Sequence, residues 1–399
     1  MTRRARAPFA KVVPLAVALV VFAVGCASNA PQTTLKPQGP QAKSIAHLAT
    51  PVFIIAGIVG FLVMTGTLLI IIRFRKRSDD DGTEFPDQIH GNFKAEIAWT
   101  ILPALILACV AVPTVFTVFD LAKKPSADAL VVEVTGQQWW WSYQYNFDVD
   151  HDGKVDHITT ANDLVIPANR PIALRIKSND VIHSWWAPSL NGKKDAVPGR
   201  VHPLTIEAPK AKEYIGQCTE FCGLSHAEMR IKVVALSPDD FQAWAEKQIK
   251  PFVAPTDPAA VAGWTTFASQ CTSCHRINGM TDPSKPTKTF VYPPVVNQVA
   301  GVVPNLTKLM TRSTFAGAKF DLRLPTPECK ALGEDWAATP KGIKDCLNRE
   351  QLEAWLRNAP AEKAMYPGDA PSPMSRGMNN FNLSEDQIDD LVAFLITLQ

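Results

Sequence analysis

The stretch CTEFCGLSHAEM, residues 218–229, places two cysteines, a histidine and a methionine within twelve residues. Thiolate, imidazole and thioether together form a ligand set that is typical of copper. Zinc sites of the finger type combine a cysteine pair with a second, distant pair and do not use methionine. A mononuclear blue copper site uses a single cysteine and leaves the second one unexplained. Two thiolates four residues apart can instead bridge two copper ions.

A dinuclear site of this kind needs a second imidazole from another part of the chain. His183, in NDVIHSWWAP, lies 35 residues before Cys218 and between two β-like segments. Copper-binding barrels place their first ligand at this spacing. The alternative interpretation is a disulfide between Cys218 and Cys222, with an incidental histidine and methionine. The predicted ligands are His183, Cys218, Cys222, His226 and Met229.

The pattern around this stretch indicates a β domain followed by a helical domain. Residues 130–236 contain short β-rich segments separated by turns, which is typical of an all-β sandwich or barrel. Residues 237–260 are expected to form a helix and a linker that includes the Pro- and Ala-rich KPFVAPTDPAA. From 261 to 399 the pattern becomes helical, and it ends in a helix with Ser384 as the expected N-cap.

Two uncharged apolar segments before the β domain are long enough to cross a bilayer. The first covers residues 48–72 and is followed by RFRKR at 73–77, a basic cluster that marks the cytoplasmic side. The second covers residues 95–119 and returns across the membrane. A transmembrane hairpin at 48–120 therefore places residues 26–47 and all later domains outside the cytoplasm.

Residues 1–25 have the pattern of a bacterial export signal, with basic MTRRARAPFAK followed by a short apolar run. The sequence AVGCAS at its end is similar to a lipoprotein processing site, in which Cys26 becomes the acylated N-terminus. A plain secretory signal and a first membrane helix are the alternatives, because Ala23 stands where leucine is usual.

Charge and cysteine content narrow the function classes. Forty Lys and Arg residues against 38 Asp and Glu residues leave a net charge of +2, so nucleic acid is not an expected partner. Half of the eight cysteines form two close pairs, which indicates cofactor chemistry rather than a disulfide framework. Cys109 is interpreted as a packing residue of the second apolar segment. A disulfide between Cys329 and Cys346 is a reasonable expectation in an oxidising compartment.

The second cysteine pair lies in CTSCH, residues 271–275, which is an attachment signature for haem c. Cys271 and Cys274 are expected to form thioethers to the haem vinyl groups, and His275 is the expected proximal ligand. The sixth iron ligand is expected to be a methionine on a loop before the last helix. Met374 and Met378 both precede that helix.

The segments GQQWWWSYQY, HSWWAPSLNGKKDAVPGR and CTEFCGLSHAEM together closely resemble subunit II of haem–copper cytochrome c oxidases. The resemblance implies a two-helix transmembrane hairpin, an all-β cupredoxin-like Greek-key barrel and a dinuclear copper A centre. In that centre Cys218 and Cys222 bridge the coppers. His183 and His226 are implied as the terminal ligands at the two ends. Met229 and the backbone carbonyl of Glu220 are implied as weak ligands. The side chain of Glu220 is also implied to reach a Mg²⁺ that is shared with subunit I.

The same resemblance implies roles for Trp139 and Glu96. Trp139, the first aromatic of WWWSYQY, is the point at which electrons reach the copper, and core packing is the alternative. Strand alternation separates Trp139 and Trp141 from Trp140, so an indole is expected to face solvent or a partner. Glu96, in the run E-x-x-W-T-I-L-P, lies at the cytoplasmic mouth of a proton channel into subunit I. A carboxylate in the headgroup region is the alternative for Glu96.

The region from residue 261 onward resembles class I cytochrome c, an all-α domain. VPNLTKL matches the P-N-L loop of that family, in which the carbonyl of Pro304 orients the haem histidine. Family domains often carry M-P-x-x-x-L-S before the last helix. Met378 has this distance to Ser384, although Asn379 replaces the proline. We therefore favour Met378 as the axial ligand and keep Met374 as the alternative.

These resemblances imply a caa3-type oxidase subunit II with a fused cytochrome c. Such a subunit accepts electrons from a donor cytochrome or bc1-type complex and passes them from haem c through copper A to haem a of subunit I. There O2 is reduced to water and protons are pumped, with subunit III as a further expected partner. The expected location is the bacterial inner membrane, with the C-terminal domains in the periplasm.

Three other functions agree less well with the sequence. A free-standing electron-transfer lipoprotein needs only one span or a lipid, so Glu96 within a two-helix hairpin argues against it. Nitrous oxide reductase has a similar copper motif, but it carries that motif beside a large propeller and lacks the hairpin. A quinol oxidase subunit II keeps the fold and loses Cys218 and Cys222, whose presence excludes it.

Overall fold

The computed structural model describes residues 30–76, 90–292, 303–332, 340–365 and 377–399. The predicted export signal at 1–25, Cys26 and Met374 lie outside these described residues. The described chain forms two long helices, then a β-sandwich, then a mainly helical domain. This order confirms the predicted fold class.

The two long helices are α1 (Pro40–Phe74) and α2 (Phe93–Leu121). Both are long and apolar enough to cross a membrane, with 35 and 29 residues. Their apolar side chains are exposed in the isolated chain, as lipid-facing helices require. The first helix begins at Pro40 rather than at residue 48, because proline is favoured in the first turn and the intervening residues continue the helix.

The β-sandwich consists of two five-stranded sheets. Its strands are β1 (Leu130–Gln137), β2 (Trp140–Phe147), β3 (Asp156–Ala161), β4 (Asp163–Pro167), β5 (Ile172–Ser178), β6 (His183–Trp186), β7 (Lys194–Ala196), β8 (His202–Ile206), β9 (Lys212–Cys218) and β10 (Arg230–Leu236). One sheet has the order β3-β2-β1-β5-β8, and the other has the order β4-β10-β9-β6-β7. The pairs β1–β5 and β4–β10 are parallel, and all other pairs of these sheets are antiparallel.

Large aromatic side chains fill the space between the sheets. Trp141, Tyr143 and Tyr145 of β2 are fully buried. The indole N–H of Trp185 donates to the Tyr143 hydroxyl at 3.2 Å. The Tyr145 hydroxyl donates to the carbonyl of Val165 at 2.9 Å. These bonds satisfy polar atoms that burial would otherwise leave unpaired.

Helix α3 (Pro238–Ile249) follows the sandwich, and residues 250–257 lead into the last domain. Its helices are α4 (Pro258–Gln270), α5 (Pro327–Lys330), α6 (Pro340–Asp345), α7 (Arg349–Glu362) and α8 (Glu385–Ile396). Its two small hairpins are β11 (Thr281–Asp282) with β12 (Lys285–Thr289), and β13 (Thr314–Phe315) with β14 (Phe320–Asp321).

The first and last helices of this domain, α4 and α8, cross at Gly263. A Cβ atom at Gly263 would lie 1.9 Å from the carbonyl oxygen of Asp390, so only glycine allows this approach. Ser384 caps α8 as predicted, and Gln387 completes a capping box with it. This crossing positions α4 and α8, which form part of the wall of a cavity in this domain.

Cys329 and Cys346 form a disulfide, as expected from the sequence. It joins Cys329 in α5 to Cys346, the residue that follows α6, and the two cysteines are 17 positions apart. The bridge therefore closes the segment that interrupts the helical pattern of this domain.

Candidate metal centre and adjoining cavity

The predicted copper ligands converge at one end of the sandwich. His183 begins β6, Cys218 ends β9, and Cys222 and His226 follow in the next loop. The two sulfur atoms lie 3.9 Å apart and are not bonded, so the disulfide alternative is wrong for this structure. Nδ1 of His183 is 3.9 Å from the Cys218 sulfur, and Nδ1 of His226 is 3.5 Å from the Cys222 sulfur. Each sulfur therefore has one imidazole beside it.

The two weaker ligands complete the same arrangement. The thioether of Met229 is 3.9 Å from the Cys222 sulfur, and the carbonyl oxygen of Glu220 is 3.3 Å from the Cys218 sulfur. Met229 is fully buried, whereas the Glu220 residue is exposed. The cluster thus offers two half-sites, each with a thiolate, an imidazole and a weak ligand. This donor set fits a pair of copper ions.

The two thiols differ in acidity because they interact with each other. The hydrogen bond from Cys222 lowers the pKa of Cys218, and His183 acts in the same direction against the effect of burial. Cys218 in turn raises the pKa of Cys222, and burial adds to that shift. The pair therefore keeps a proton that a bound metal displaces, since metals take cysteine as the thiolate.

Asp180 holds the imidazole of His183 from its far side. Oδ1 of Asp180 lies 2.8 Å from Nε2 of His183, and both side chains are buried. Because a carboxylate only accepts, Nε2 carries the hydrogen and Nδ1 faces the sulfur. Burial lowers the pKa of His183, but the bonds to Asp180 and Cys218 outweigh burial and raise that pKa. Asp180 was not predicted from the sequence, although its position three residues before the histidine is a usable signal.

Trp139 contacts the metal-binding loop directly. Its indole N–H donates to the carbonyl of Cys222 at 2.9 Å, and the side chain of Gln138 donates to the same oxygen at 2.7 Å. Trp139 is 3% exposed and Trp140 is 7% exposed, so neither faces solvent. Both border a cavity of the helical domain. The partner that these indoles face is therefore part of the same chain.

That cavity has a volume of about 370 Å³ and is bordered by the CTSCH motif. Cys271 caps α4, and Cys274 follows one turn later. Nδ1 of His275 lies 2.8 Å from the carbonyl oxygen of Pro304, which can only accept, so the ring donates there. Burial lowers the pKa of His275, which keeps the imidazole neutral. A neutral ring with Nδ1 engaged presents Nε2 as a metal ligand.

Two described methionines border the cavity. Met378, which we favoured as the axial ligand, lies at its wall and is partly buried. Met365 also lies there, and a Cβ atom on Gly377 would be only 2.6 Å from its sulfur. Met365 was not among the ligands predicted from the sequence. The structure thus brings Met378 to the same cavity as His275 and adds a second thioether beside it.

The remaining walls suit a large flat group with acidic substituents. Apolar side chains make up much of the lining, among them Phe267, Leu309 and Leu391. Arg312 also lines the cavity and is 3% exposed, and within the described chain its Nε has no hydrogen-bond partner. Two thiols, a neutral imidazole, a thioether, apolar walls and a buried guanidinium fit haem c. Arg312 was not predicted from the sequence as a residue of the haem site, although it lies only eight residues after Pro304 of the P-N-L loop.

Glu96 has a structural role at the start of α2. The side chain of Asn92 accepts from the backbone N–H of Ala95 at 3.1 Å, and Oε1 of Glu96 accepts from the backbone N–H of Asn92 at 3.2 Å. These bonds satisfy donors that the first helical turn leaves open. Glu96 is exposed in the isolated chain. Its position beside the membrane interface is compatible with both interpretations made from the sequence.

Two apolar helices, a cupredoxin-like sandwich with a copper-type ligand set and a cytochrome-like cavity define a membrane-anchored electron-transfer protein. Three family models match these parts in order. They are described as cytochrome c oxidase subunit II, transmembrane domain, at residues 31–117, its periplasmic domain at residues 130–236, and cytochrome c at residues 260–399.

Curated relatives give the same result. Cytochrome c oxidase subunit 2 of Alkalihalophilus pseudofirmus is 34% identical over 277 residues, which cover 68% of this chain and 78% of the relative. The protein of that name from Bacillus sp. strain PS3 is 30% identical over 342 residues, which cover 82% and 80%. Quinol oxidase subunit 2 of Bacillus subtilis is 34% identical over 238 residues, which cover 58% and 71%. The chain belongs to the cytochrome c oxidase subunit II family and carries a C-terminal cytochrome c domain.

Family membership makes the chain a component of an oxidase complex, with subunit I as its partner. The subunit II fold and the cytochrome c domain also support copper A and haem c as its cofactors. These conclusions agree with the donor set at Cys218 and Cys222 and with the cavity at His275.

Proposed function

We propose that this chain is the electron-accepting subunit of a caa3-type cytochrome c oxidase. Its cytochrome domain takes electrons from a donor cytochrome or a bc1-type complex. Its copper domain delivers them to haem a of subunit I, which reduces O2 to water and pumps protons. One observation carries the proposal. Trp139 borders the cavity of His275 and also donates a hydrogen bond to Cys222, so one side chain touches both candidate sites.

We assign the residues as follows. When bound, haem c and the dinuclear copper each supply a one-electron couple to the chain. The haem would be held by Cys271, Cys274, His275 and Met378, with Pro304 orienting the histidine, and the coppers by His183, Cys218, Glu220, Cys222, His226 and Met229. The exposed carboxylate of Glu220 is assigned to a Mg²⁺ shared with subunit I.

The protein contributes rigidity to electron transfer. His183 and Cys218 lie on adjacent strands of one sheet, and both are buried among packed side chains. The carboxylate of Asp180 fixes the orientation of the His183 ring. Ligands held this way move little when the charge of the site changes, so reorganisation on electron transfer stays small. A charge shared over two ions reduces it further.

The membrane part supplies topology and a proton path in this proposal. Arg73 in the last turn of α1, followed by Arg75 and Lys76, marks the cytoplasmic side. Glu96 at the start of α2 then lies at the same side, where proton uptake into subunit I must begin. The sandwich and the cytochrome domain are placed in the periplasm of a bacterial inner membrane. An export signal at 1–25, acylation of Cys26 and contact with subunit III complete the proposal.

Affinity purification of the tagged chain from its native membranes tests this function. The expected result is co-purification of a large multi-helix haem protein and cytochrome c oxidase activity. The Cys222→Ser variant should assemble with the same partner but lack activity. A stable lone chain that contains both cofactors would contradict the proposal and favour a membrane-anchored electron-transfer lipoprotein without an oxidase partner.

A further inference from the structure

The cytochrome domain docks on the copper domain through residues 313–319 and 363–365, and part of this contact is made with the metal-binding loop. The backbone N–H of Arg230, one residue after the ligand Met229, donates to the carbonyl of Gly317 at 2.9 Å. Lys319 pairs with the carboxylate of Glu228 at 2.7 Å. Glu228 itself belongs to the short 3₁₀ helix that also contains His226. The two domains are therefore joined at the loop that carries the copper ligands.

Lys363 lies at the centre of this contact. Its amine donates to the carbonyls of Trp139 at 2.8 Å, Ala316 at 2.8 Å and Glu228 at 3.4 Å. Trp139 and Glu228 belong to the copper domain, whereas Ala316 belongs to the cytochrome domain. Lys363 is 3% exposed, and it borders the haem cavity. A single buried amine thus joins three carbonyls from two domains.

The backbone of the cytochrome domain is shaped to admit this contact. Gly317 has a φ of +78°, and a Cβ atom there would lie 2.4 Å from the carbonyl oxygen of Trp139 and 2.3 Å from the amine of Lys363. Only glycine allows both this conformation and this approach. The loop therefore reaches the Trp139 carbonyl without displacing Lys363.

We propose that Lys363 is a positioning residue for electron transfer within the chain, and that it fixes Trp139 and the metal-binding loop against the haem cavity. This inference rests on the proposed function. Trp139 is held at both ends, with its indole on Cys222 and its carbonyl on Lys363. A shift of Lys363 therefore moves the side chain that separates the two sites.

The hydrogen bonds of Lys363 should contribute more to docking than the ion pair between Lys319 and Glu228. Burying an amine is costly unless its donors are all satisfied, and here three carbonyls satisfy them. The pair between Lys319 and Glu228 is partly exposed and screened by salt, so it contributes little. Burial lowers the pKa of Lys363 to about 7, and the nearby Glu228 opposes that shift. The three carbonyls match the three N–H donors of the charged amine, whereas a neutral amine has only two.

The test compares Lys363→Met with Lys319→Met in the full oxidase complex. Both variants remove an amine from the same interface, but only the first removes the bonds to Trp139. Three quantities are measured. The first is hydrogen exchange of the Arg230 amide, which reports opening of the interdomain contact. The second is the first-order rate of electron transfer from haem c to copper, and the third is the second-order rate at which an external donor reduces the haem.

In Lys363→Met we expect Arg230 exchange to rise about tenfold and the internal transfer rate to fall about tenfold, which corresponds to ~1.4 kcal/mol of docking energy. Reduction of the haem by the external donor should stay unchanged. Lys319→Met should stay within about twofold of the wild type in all three quantities. Equal effects of the two variants would overturn the inference.

Two further outcomes keep the inference separate from its premise. Absence of haem-to-copper transfer in the wild type would contradict the proposed function, whereas normal transfer in Lys363→Met would contradict the positioning role alone. If Lys363→Met loses either cofactor, Lys363→Gln takes its place. Its shorter side chain carries two N–H donors and cannot satisfy all three carbonyls, so the internal transfer rate should still fall. A rate equal to that of Lys319→Met would overturn the inference.

Discussion

The indole N–H of Trp139 donates to the carbonyl of Cys222 at 2.9 Å. Cys222 carries one of the two thiolates of the metal cluster, and Trp139 borders the cavity of the CTSCH motif. A side chain that the sequence predicted at a surface or an interface therefore lies between the two candidate cofactor sites. At this point a single residue, Trp139, separates the two sites.

Cys222→Ser should abolish the dinuclear copper site and leave the cytochrome domain intact. Serine cannot replace a bridging thiolate, because its hydroxyl stays protonated and is a hard donor. We expect loss of the near-infrared copper band of the oxidised protein and retention of the c-type α-band of the reduced protein. Cys109→Ser is the matched control, since Cys109 is an exposed free cysteine of α2. A persistent near-infrared band in Cys222→Ser would contradict the ligand assignment.

Asp180→Asn should weaken copper binding by about 10- to 100-fold, the usual effect of removing a carboxylate behind a metal-binding histidine. An amide neither fixes the Nε2 hydrogen of His183 nor raises the basicity of the ring as a carboxylate does. Competition with a copper chelator measures the change. Asp152→Asn, on an exposed turn, provides the control and should bind copper as the wild type does. Unchanged affinity in Asp180→Asn would show that the contact with His183 is incidental.

Trp139→Phe should slow electron transfer from haem c to copper by about fivefold, because phenylalanine fills the space but loses the bond to Cys222, worth ~1 kcal/mol. Flash photolysis of the complex measures this step. Trp244→Phe is the control. Trp244 lies on helix α3, where its ring packs against that of Tyr145. Equal rates in Trp139→Phe and Trp244→Phe would place Trp139 among ordinary core aromatics, which was the alternative from the sequence.

Met378→Ala should convert the haem to a state without a methionine ligand. We expect loss of the weak charge-transfer band that methionine-ligated ferric haem shows. The reduction potential of the haem should also fall, because a thioether ligand raises it. Met365→Leu is the matched variant, since Met365 borders the same cavity. The reverse pattern, with the band lost only in Met365→Leu, would assign the axial position to Met365.

Replacing both Cys329 and Cys346 with serine should destabilise the cytochrome domain by about 3 kcal/mol, as the chain-entropy relation gives for a loop of this length. Thermal unfolding of the full chain, followed through haem absorbance, measures the loss. The c-type α-band should be unchanged at low temperature, because neither cysteine borders the haem cavity. An unchanged unfolding temperature would mean that the bridge does not constrain the unfolded chain.

Features that depend on short spacing could be predicted from the sequence. Cys218, Cys222 and His226 lie within nine residues of one loop, so their spacing alone indicated a common site. The resemblance of VPNLTKL to the P-N-L loop of class I cytochrome c implied that the Pro304 carbonyl orients His275, and the two groups lie 2.8 Å apart. His183 lies 35 residues before Cys218, and it could be predicted as a ligand only because it lies between β-like segments. Ser384 as an N-cap follows from local capping chemistry.

Contacts between domains could not be predicted in this way. Lys363 and Trp139 are 224 residues apart, and nothing in the sequence of either segment indicates that they meet. A lysine on a helical segment is normally solvated, so composition points away from a buried role. Gly317 and Arg312 present the same difficulty, because the space that each one occupies is formed by distant parts of the chain.

The most direct test of the account follows both redox bands after flash photolysis of the reduced, CO-inhibited complex in the presence of O2, which accepts the electrons once CO has left. The account predicts that the haem c band and the near-infrared copper band change together, with one first-order rate that does not depend on protein concentration. Reoxidation of haem c without any change in the copper band would contradict it. So would a rate that rises with concentration, because electrons would then pass between molecules rather than through Trp139.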